Sequence, residues 1–274
     1  MARLAFRKMH GLGNDFVVID GRACPVALDA GRMRAIADRR TGVGFDQLVI
    51  IGPSETADAG MTLFNADGSP VEACGNATRC VAALLMAETG REAVTIEGPV
   101  GPLRCRAAGE GRITAEMGPV RTGWRDIPLA READTLALDL GLPGFGPATA
   151  VSMGNPHVVL FVDDVAALDL GALGPRLEHH PLFPERANVE FIAVEAPDRL
   201  RMRVWERGVG ETRACGSGAC AAVVAAHRRG LAARAASVVL AGGALAITWR
   251  EDGVVEMTGP YATAFTGALE LGAA

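Results

Sequence analysis

The sequence predicts an α+β fold of two similar lobes, and three observations predict it. Strand-like patterns come in runs around few helices, not in the strict βαβ alternation of a doubly wound sheet. Two helical patterns open on a Cys-Gly pair, in ACGNATRC (Ala73 to Cys80) and in ACGSGAC (Ala214 to Cys220). These two starts are 141 residues apart, and the same offset aligns polar residues along much of the chain.

Taken in order, strand patterns occur at Leu4 to Lys8, Phe16 to Asp20, Gln47 to Ile51 and Met61 to Phe64. Helical periodicity is clearest at Asp29 to Arg40, at Gly75 to Thr89 and at Gly216 to Arg229. After each Cys-led helix a meander is expected, turning at Gly109-Glu110-Gly111 in the first case and at Gly242-Gly243 and Asp252-Gly253 in the second.

At the offset of 141, Cys74-Gly75 falls on Cys215-Gly216 and Gly118-Pro119 on Gly259-Pro260. GNDFVV (Gly13 to Val18) falls on GNPHVV (Gly154 to Val159), Gln47 on Asn188, and Asn65 on Glu206. The expectation is two lobes related by a pseudo-twofold, residues 1–119 and 120–260, with the junction in Val120 to Pro128. Because the chain after Pro119 enters the second lobe, residues 261–274 are the candidate segment that returns to complete the first.

A chain of 274 residues, 49% hydrophobic, buries one large core or two ordinary ones. No apolar run approaches the roughly 20 residues that span a bilayer, and MARLAFRKMHGLGND lacks the apolar centre of a signal peptide. A cytoplasmic location and no membrane partner are expected. A net charge of −5 with scattered arginines gives no basic footprint for nucleic acid, which favours a small-molecule partner. Six cysteines are too sparse for a disulfide scaffold and read as buried hydrophobes, metal ligands or catalytic thiols.

A cysteine at a helix entrance feels the positive end of the dipole and unpaired N–H groups, which can lower a thiol pKa from about 8.5 to roughly 3.5–7.5. Cys74 and Cys215 are therefore candidate acid/base groups. Gly75-Asn76 and Gly216-Ser217 form cradles for a carboxylate, since glycine lets an anion approach the backbone. Two such cradles on one ligand suit removal of a proton α to a carboxylate, where negative charge builds as the carbanion forms. One thiolate takes the proton and a thiol on the opposite face returns one, which inverts the centre.

Pyridoxal phosphate needs a lysine, and the chain has only Lys8, with no recognisable glycine-rich phosphate loop. No cofactor is expected. No metal is expected either, because Cys-x5-Cys and Cys-x4-Cys are not common zinc spacings. Cys80 and Cys220 fall within apolar helices and read as core, as do Cys24 and Cys105. His157, where the first half has Phe16, reads equally as a ligand and as a satisfied core histidine. A thiol switch that only bridges Cys74 and Cys215 leaves the cradles and the polar repeat without a purpose.

The blocks KMHGLGNDFVVID, FNADGSPVEACGN, MGNPHVV, ANVEFIAV and WERGVGETRACGSGACA resemble, in order and spacing, those of the diaminopimelate epimerase family, over nearly the whole chain. The resemblance implies two lobes, each a mostly antiparallel sheet wrapped around a central helix, with the site in the cleft between them. It implies interconversion of LL- and meso-diaminopimelate without a cofactor, in lysine and peptidoglycan-precursor synthesis, by a homodimer. By motif position Cys74 and Cys215 become the acid/base thiols, and His157 and Glu206 supporting catalytic groups. Gly75, Asn76, Gly216 and Ser217 hold the reacting carboxylate, while Asn14, Gln47, Asn65, Asn155, Asn188, Glu206 and Arg207 contact substrate.

One departure from the family pattern is visible: Ala77-Thr78-Arg79-Cys80 stands where Gly-Ala-Arg-Cys is common. This touches the helix's first turn but neither thiol nor cradle. Proline racemases and hydroxyproline epimerases use a similar paired-thiol logic and differ at the far end of the substrate. There Arg207 is expected to pair with the second carboxylate of diaminopimelate, and Glu206 beside it to hold an ammonium.

Overall fold

The computed structural model describes residues 2–71, 74–99 and 101–271. Glu72 and Ala73 of the first Cys-led motif and residues 272–274 of the candidate return segment lie outside the described residues. The α+β class holds, and the chain divides into two compact units, Met1–Ala115 with Gly259–Ala274, and Glu116–Thr258. Among the described residues no helix is long and apolar enough to cross a membrane.

The first unit contains β1 (Ala2–Gly11), β2 (Asn14–Asp20), α1 (Ala30–Ala37), β3 (Gln47–Gly52), β4 (Ala59–Asn65), α2 (Gly75–Thr89), β5 (Ala93–Gly98) and β6 (Gly101–Ala107). The start of β7 (Arg112–Pro119) and the final strand of the chain, β16 (Ala262–Leu271), also belong to it. The sheet order is β16-β1-β2-β3-β4-β5-β6-β7, with β2–β3 and β4–β5 parallel and the other pairs antiparallel.

β2 is buried on both faces, which is why its run FVVI is continuous and does not alternate with polar residues. Val17 and Ile19 join Met33 and Ile36 of α1 in one core cluster. By the alternation of strand side chains, Phe16 and Val18 turn to the other face, where α2 packs. Every residue of α2 from Gly75 to Ala83 is buried, Asn76, Thr78 and Arg79 included, as expected of a central helix enclosed by its sheet.

α1 is shorter than the expected Asp29 to Arg40. Asp29 caps it by accepting from the Arg32 N–H at 2.8 Å. At the other end Asp38 is extended and its carboxylate accepts from Arg40 and Thr41 N–H groups at 2.8 and 2.7 Å, an alternative that ends the helix. Cys24 also departs from expectation. It is exposed, in the irregular segment between β2 and α1, whereas Cys80, Cys105 and Cys220 are buried.

The second unit contains β8 (Thr149–Ser152), β9 (Pro156–Phe161), α3 (Leu170–Glu178), β10 (Asn188–Ala196), β11 (Arg199–Glu206), β12 (Gly210–Thr212), α4 (Gly216–Arg228), β13 (Ala235–Leu240), β14 (Gly243–Trp249) and most of β15 (Val254–Pro260). Its order is β15-β14-β13-β11-β10-β9-β8, with β12 added on β11. α4 packs against six of these strands, β8, β9, β10, β11, β13 and β14, so the sheet wraps around it. The repeat extends to hydrogen-bond register: Phe16 pairs with Gln47 between parallel β2 and β3, and His157 with Asn188 between parallel β9 and β10.

α3 is absent from the sequence reading because Gly171, Gly174 and Pro175 dilute its periodicity. Tertiary contact explains it. Leu170 and Leu177 enter a core cluster with Val158, Leu160, Val189 and Phe191, and Gly174 lies against Trp205 of β11. A Cβ at position 174 would meet Trp205 Cδ2 at 2.2 Å. The ring cannot swing away freely, because its Nε1 donates to Glu178 Oε2 at 2.8 Å. Gly174→Ala should therefore destabilise the chain by about 1–3 kcal/mol, the usual range for overpacking, read from urea unfolding midpoints. Gly171→Ala, at an exposed position of the same helix, should stay within about 0.5 kcal/mol.

Candidate active site

The first unit brings together Cys74, Asn14 and Asn76. Cys74 is the N-cap of α2, with extended backbone, and its thiol donates to Asn14 Oδ1 at 3.6 Å. The same oxygen accepts from Asn76 Nδ2 at 3.2 Å, and Asn76 Oδ1 accepts from the buried Arg79 guanidinium at 2.7 Å. A Cβ at Gly11 would lie 3.0 Å from Arg79 Nη2 and 3.2 Å from Asn76 Cβ, so this glycine lets the β1–β2 hairpin close on the first turn of α2.

Asn14 is held from the other side by Asp46, which accepts from its Nδ2 at 3.0 Å. The turn rests on an ionic cluster in which Lys8 and Arg39 converge on Asp15, with Arg39 also bonding Asp46. Burial alone would raise the Asp15 carboxyl, but hydrogen bonds and charge from Arg39 and Lys8 hold it far below the usual carboxylate range. Gln47 and Asn65 stand directly opposite each other between β3 and β4. Asn65 Nδ2 donates to Ser69 Oγ at 3.1 Å, and Gln47 Oε1 is buried with no hydrogen-bond partner among the described residues.

The second unit assembles Cys215, Ser217, Glu206, His157, Asn155, Asn188 and Arg207. Cys215 is the buried N-cap of α4 and accepts from the Gly218 N–H at 3.3 Å, with Ser217 Oγ 3.6 Å away. His157 is fully buried. Its Nδ1 is 2.7 Å from Glu190 Oε1 and its Nε2 3.0 Å from Asn155 Oδ1, so it is a satisfied interior histidine. Asn188 Oδ1 accepts from the Arg207 N–H at 3.0 Å, while its Nδ2 donates to the Pro156 carbonyl at 3.1 Å. Arg207 donates from its guanidinium to the Glu185 carbonyl at 3.2 Å.

Glu206 is expected both as a supporting catalytic group and as the holder of a substrate ammonium. Its carboxylate accepts from the Thr212 hydroxyl and from the Cys215 thiol, so it lies beside the second of the candidate thiols. Burial pushes the Glu206 carboxyl up, and the two hydrogen bonds oppose this.

The state of Cys215 also reverses what a helix entrance alone implies. Burial pushes this thiol well above the ordinary range, and the charges of Glu206 and Glu190 push it further, against the hydrogen bonds of Ser217 and Gly218. A helix terminus contributes typically about 0.3–1 kcal/mol, whereas full burial of a charge can shift a pKa by up to about 3–5 units, several times as much. Burial wins, and Cys215 rests as a thiol. Cys80, buried one turn inside α2, is pushed up to about 12 and is inert core.

Thr212, bonded to Glu206, and Glu190, beside Cys215, are neighbours of the candidate site that the sequence reading missed. Glu190 left one signal, a lone carboxylate in the apolar strand VEFIAV. Among the described residues no three His, Cys, Asp or Glu side chains converge as a metal site.

A family model described as diaminopimelate epimerase matches residues 6–123 and 149–264. The diaminopimelate epimerase of Rhodospirillum centenum is 58% identical, over 96% of this chain and 91% of its own. That of Acidiphilium cryptum is 55% identical, over 97% and 96%. Among solved structures, a hydroxyproline epimerase from Agrobacterium vitis with bound trans-4-OH-L-proline has a TM-score of 0.70 at 14% identity, covering 98% of this chain and 91% of that one. A phenazine biosynthesis protein of the PhzF family from Bacillus anthracis has a TM-score of 0.69 at 16% identity, covering 99% and 100%. At these identities the likeness is one of fold. Because the family model takes in both Cys-Gly helix starts, and more than half of the aligned positions are shared with a relative along nearly all of both chains, the chain belongs to the diaminopimelate epimerase family.

Proposed function

We propose that the chain interconverts LL- and meso-diaminopimelate by two-thiol acid/base catalysis, without an organic cofactor or metal, in lysine and peptidoglycan-precursor synthesis. The observation that carries this reading is the pair of helix-capping cysteines, each followed by a buried glycine and a polar residue. In one direction Cys74, as thiolate, takes the α-proton. Cys215, resting as a thiol, gives its proton to the opposite face. Cys74 is left as the thiol and Cys215 as the thiolate, so the spent enzyme is loaded for the reverse reaction. The N–H groups of Gly75-Asn76 and Gly216-Ser217 hold the carboxylate as charge builds on it. Glu206, beside Cys215, serves the reacting centre, His157 supports it, and Asn14, Gln47, Asn65, Asn155 and Asn188 orient the substrate.

Action in the cytoplasm belongs to this reading, since both thiols must stay reduced. So does homodimerisation. β16 ends the sheet of its unit and exposes Phe265, an edge suited to a second copy. Sedimentation equilibrium should give twice the chain mass, with Phe265→Lys moving it toward one chain; a monomer at micromolar concentration contradicts the dimer.

The division of labour is tested in deuterated water by proton NMR of pure LL- and meso-diaminopimelate. Cys74→Ala and Cys215→Ala should each abolish inversion while retaining slow α-hydrogen exchange, with opposite isomer preference. Near-wild-type epimerisation by either variant sinks the two-thiol mechanism, and efficient turnover of proline by the wild type redirects the substrate assignment. At the far end of the substrate, Arg207→Met should remove a charge-assisted partner worth about 1.5–3 kcal/mol. That is roughly 10- to 150-fold in kcat/KM. An unchanged value shows that Arg207 does not recognise the second carboxylate.

A further inference from the structure

Glu190 is a fully buried carboxylate in the middle of β10. Only one of its oxygens is matched: Oε1 meets His157 Nδ1 at 2.7 Å, while Oε2 has no hydrogen-bond partner among the described residues. A half-satisfied interior charge is costly, and an apolar side chain of the same volume would serve the fold at least as well.

Its surroundings show what the charge is for. His157 on β9 and Glu190 on β10 share the sheet face that α4 covers, since the intervening Val158 and Val189 enter the core cluster on the α3 side. A Cβ at Gly218, in the first turn of α4, would lie 2.8 Å from Glu190 Oε1 and 3.2 Å from Cys215 Sγ. The missing side chain is what admits the carboxylate so close to the thiol. His157 Nε2 meets Asn155 Oδ1 at 3.0 Å, so both ring nitrogens face oxygen acceptors, the arrangement of an imidazolium that donates twice. The titratable groups facing this ring are Glu190 from β10 and Glu206 from β11, and Cys215 at the mouth of α4 lies beside both carboxylates.

We propose that Glu190 is a positioning residue for the epimerisation, its carboxylate fixing the orientation and the doubly protonated state of His157 and, through it, the charge around the Cys215 thiol. The inference rests on the epimerase reading for its kinetic consequence, but not for its spectroscopic one. Glu190→Gln keeps the volume and an oxygen acceptor for Nδ1 and removes only the charge. It should lower kcat in both directions by roughly 10- to 100-fold, less than the roughly 10²–10⁴ contributed by a group that transfers the proton itself. KM should stay within about twofold. The ¹⁵N signals of His157 at pH 7 should change from those of an imidazolium in the wild type to a single neutral tautomer in the variant.

Wild-type kcat in Glu190→Gln, or a neutral His157 in the wild-type protein, overturns the proposal. The wild-type spectrum decides the matter even where the variant does not fold. A wild type inactive on diaminopimelate refutes the proposed function, and the protonation state of His157 then still tests the role of Glu190.

Discussion

A helix buried on every side cannot use water to satisfy the N–H groups of its first turn, and this constraint organises each unit. α2 and α4 are apolar almost throughout and enclosed by strands, so their N-termini open onto side chains brought there by the sheet. In the first unit Asn14 meets Cys74 and Asn76, the cap and first turn of α2. In the second, Cys215 itself caps α4 through the Gly218 N–H, with Glu206 and Glu190 close by.

The two halves solve that problem with different charge. In the first, the Cys74 thiol donates to the neutral amide of Asn14, and the acids behind Asn14 are paired with Lys8 and Arg39. Around Cys215 stand two carboxylates and an imidazole. Having His157 where the first half has Phe16, Glu190 where it has Val49 and Glu206 where it has Asn65 produces this asymmetry. Inversion begins each turnover with one thiol and one thiolate, and this difference in charge favours the thiol form at Cys215.

Much of this was legible in the chain. The Cys-Gly starts gave both central helices, and the offset of 141 aligned Phe16 with His157 and Gln47 with Asn188, which pair in the same way in the two units. α3 was hidden because its glycines and proline are chosen for contact with Trp205 and not for helix propensity. The sign of the Cys215 shift was hidden for a related reason. The helix end is local and visible in sequence, whereas Glu190 and Glu206 arrive through strand pairings that no local pattern reports. Cys24 misled because exposure is set by where an irregular segment runs, and composition does not record that.

The paired register of β9 and β10 makes the site behave like a reading frame. His157 and Glu190 meet only because they lie on one face of adjacent strands held in step from Asn188 to Ile192. One residue inserted within either strand turns the following side chains to the other face. It would bring valines to α4 and carry a carboxylate into the leucine-rich core beneath α3. Length change is therefore confined to places outside such frames. The stretch between residues 123 and 149, which the family model passes over and which contains no named strand or helix, is one of them. It still supplies Ile127, Leu129, Leu138 and Leu140 to the core, so freedom of length there coexists with fixed anchoring points.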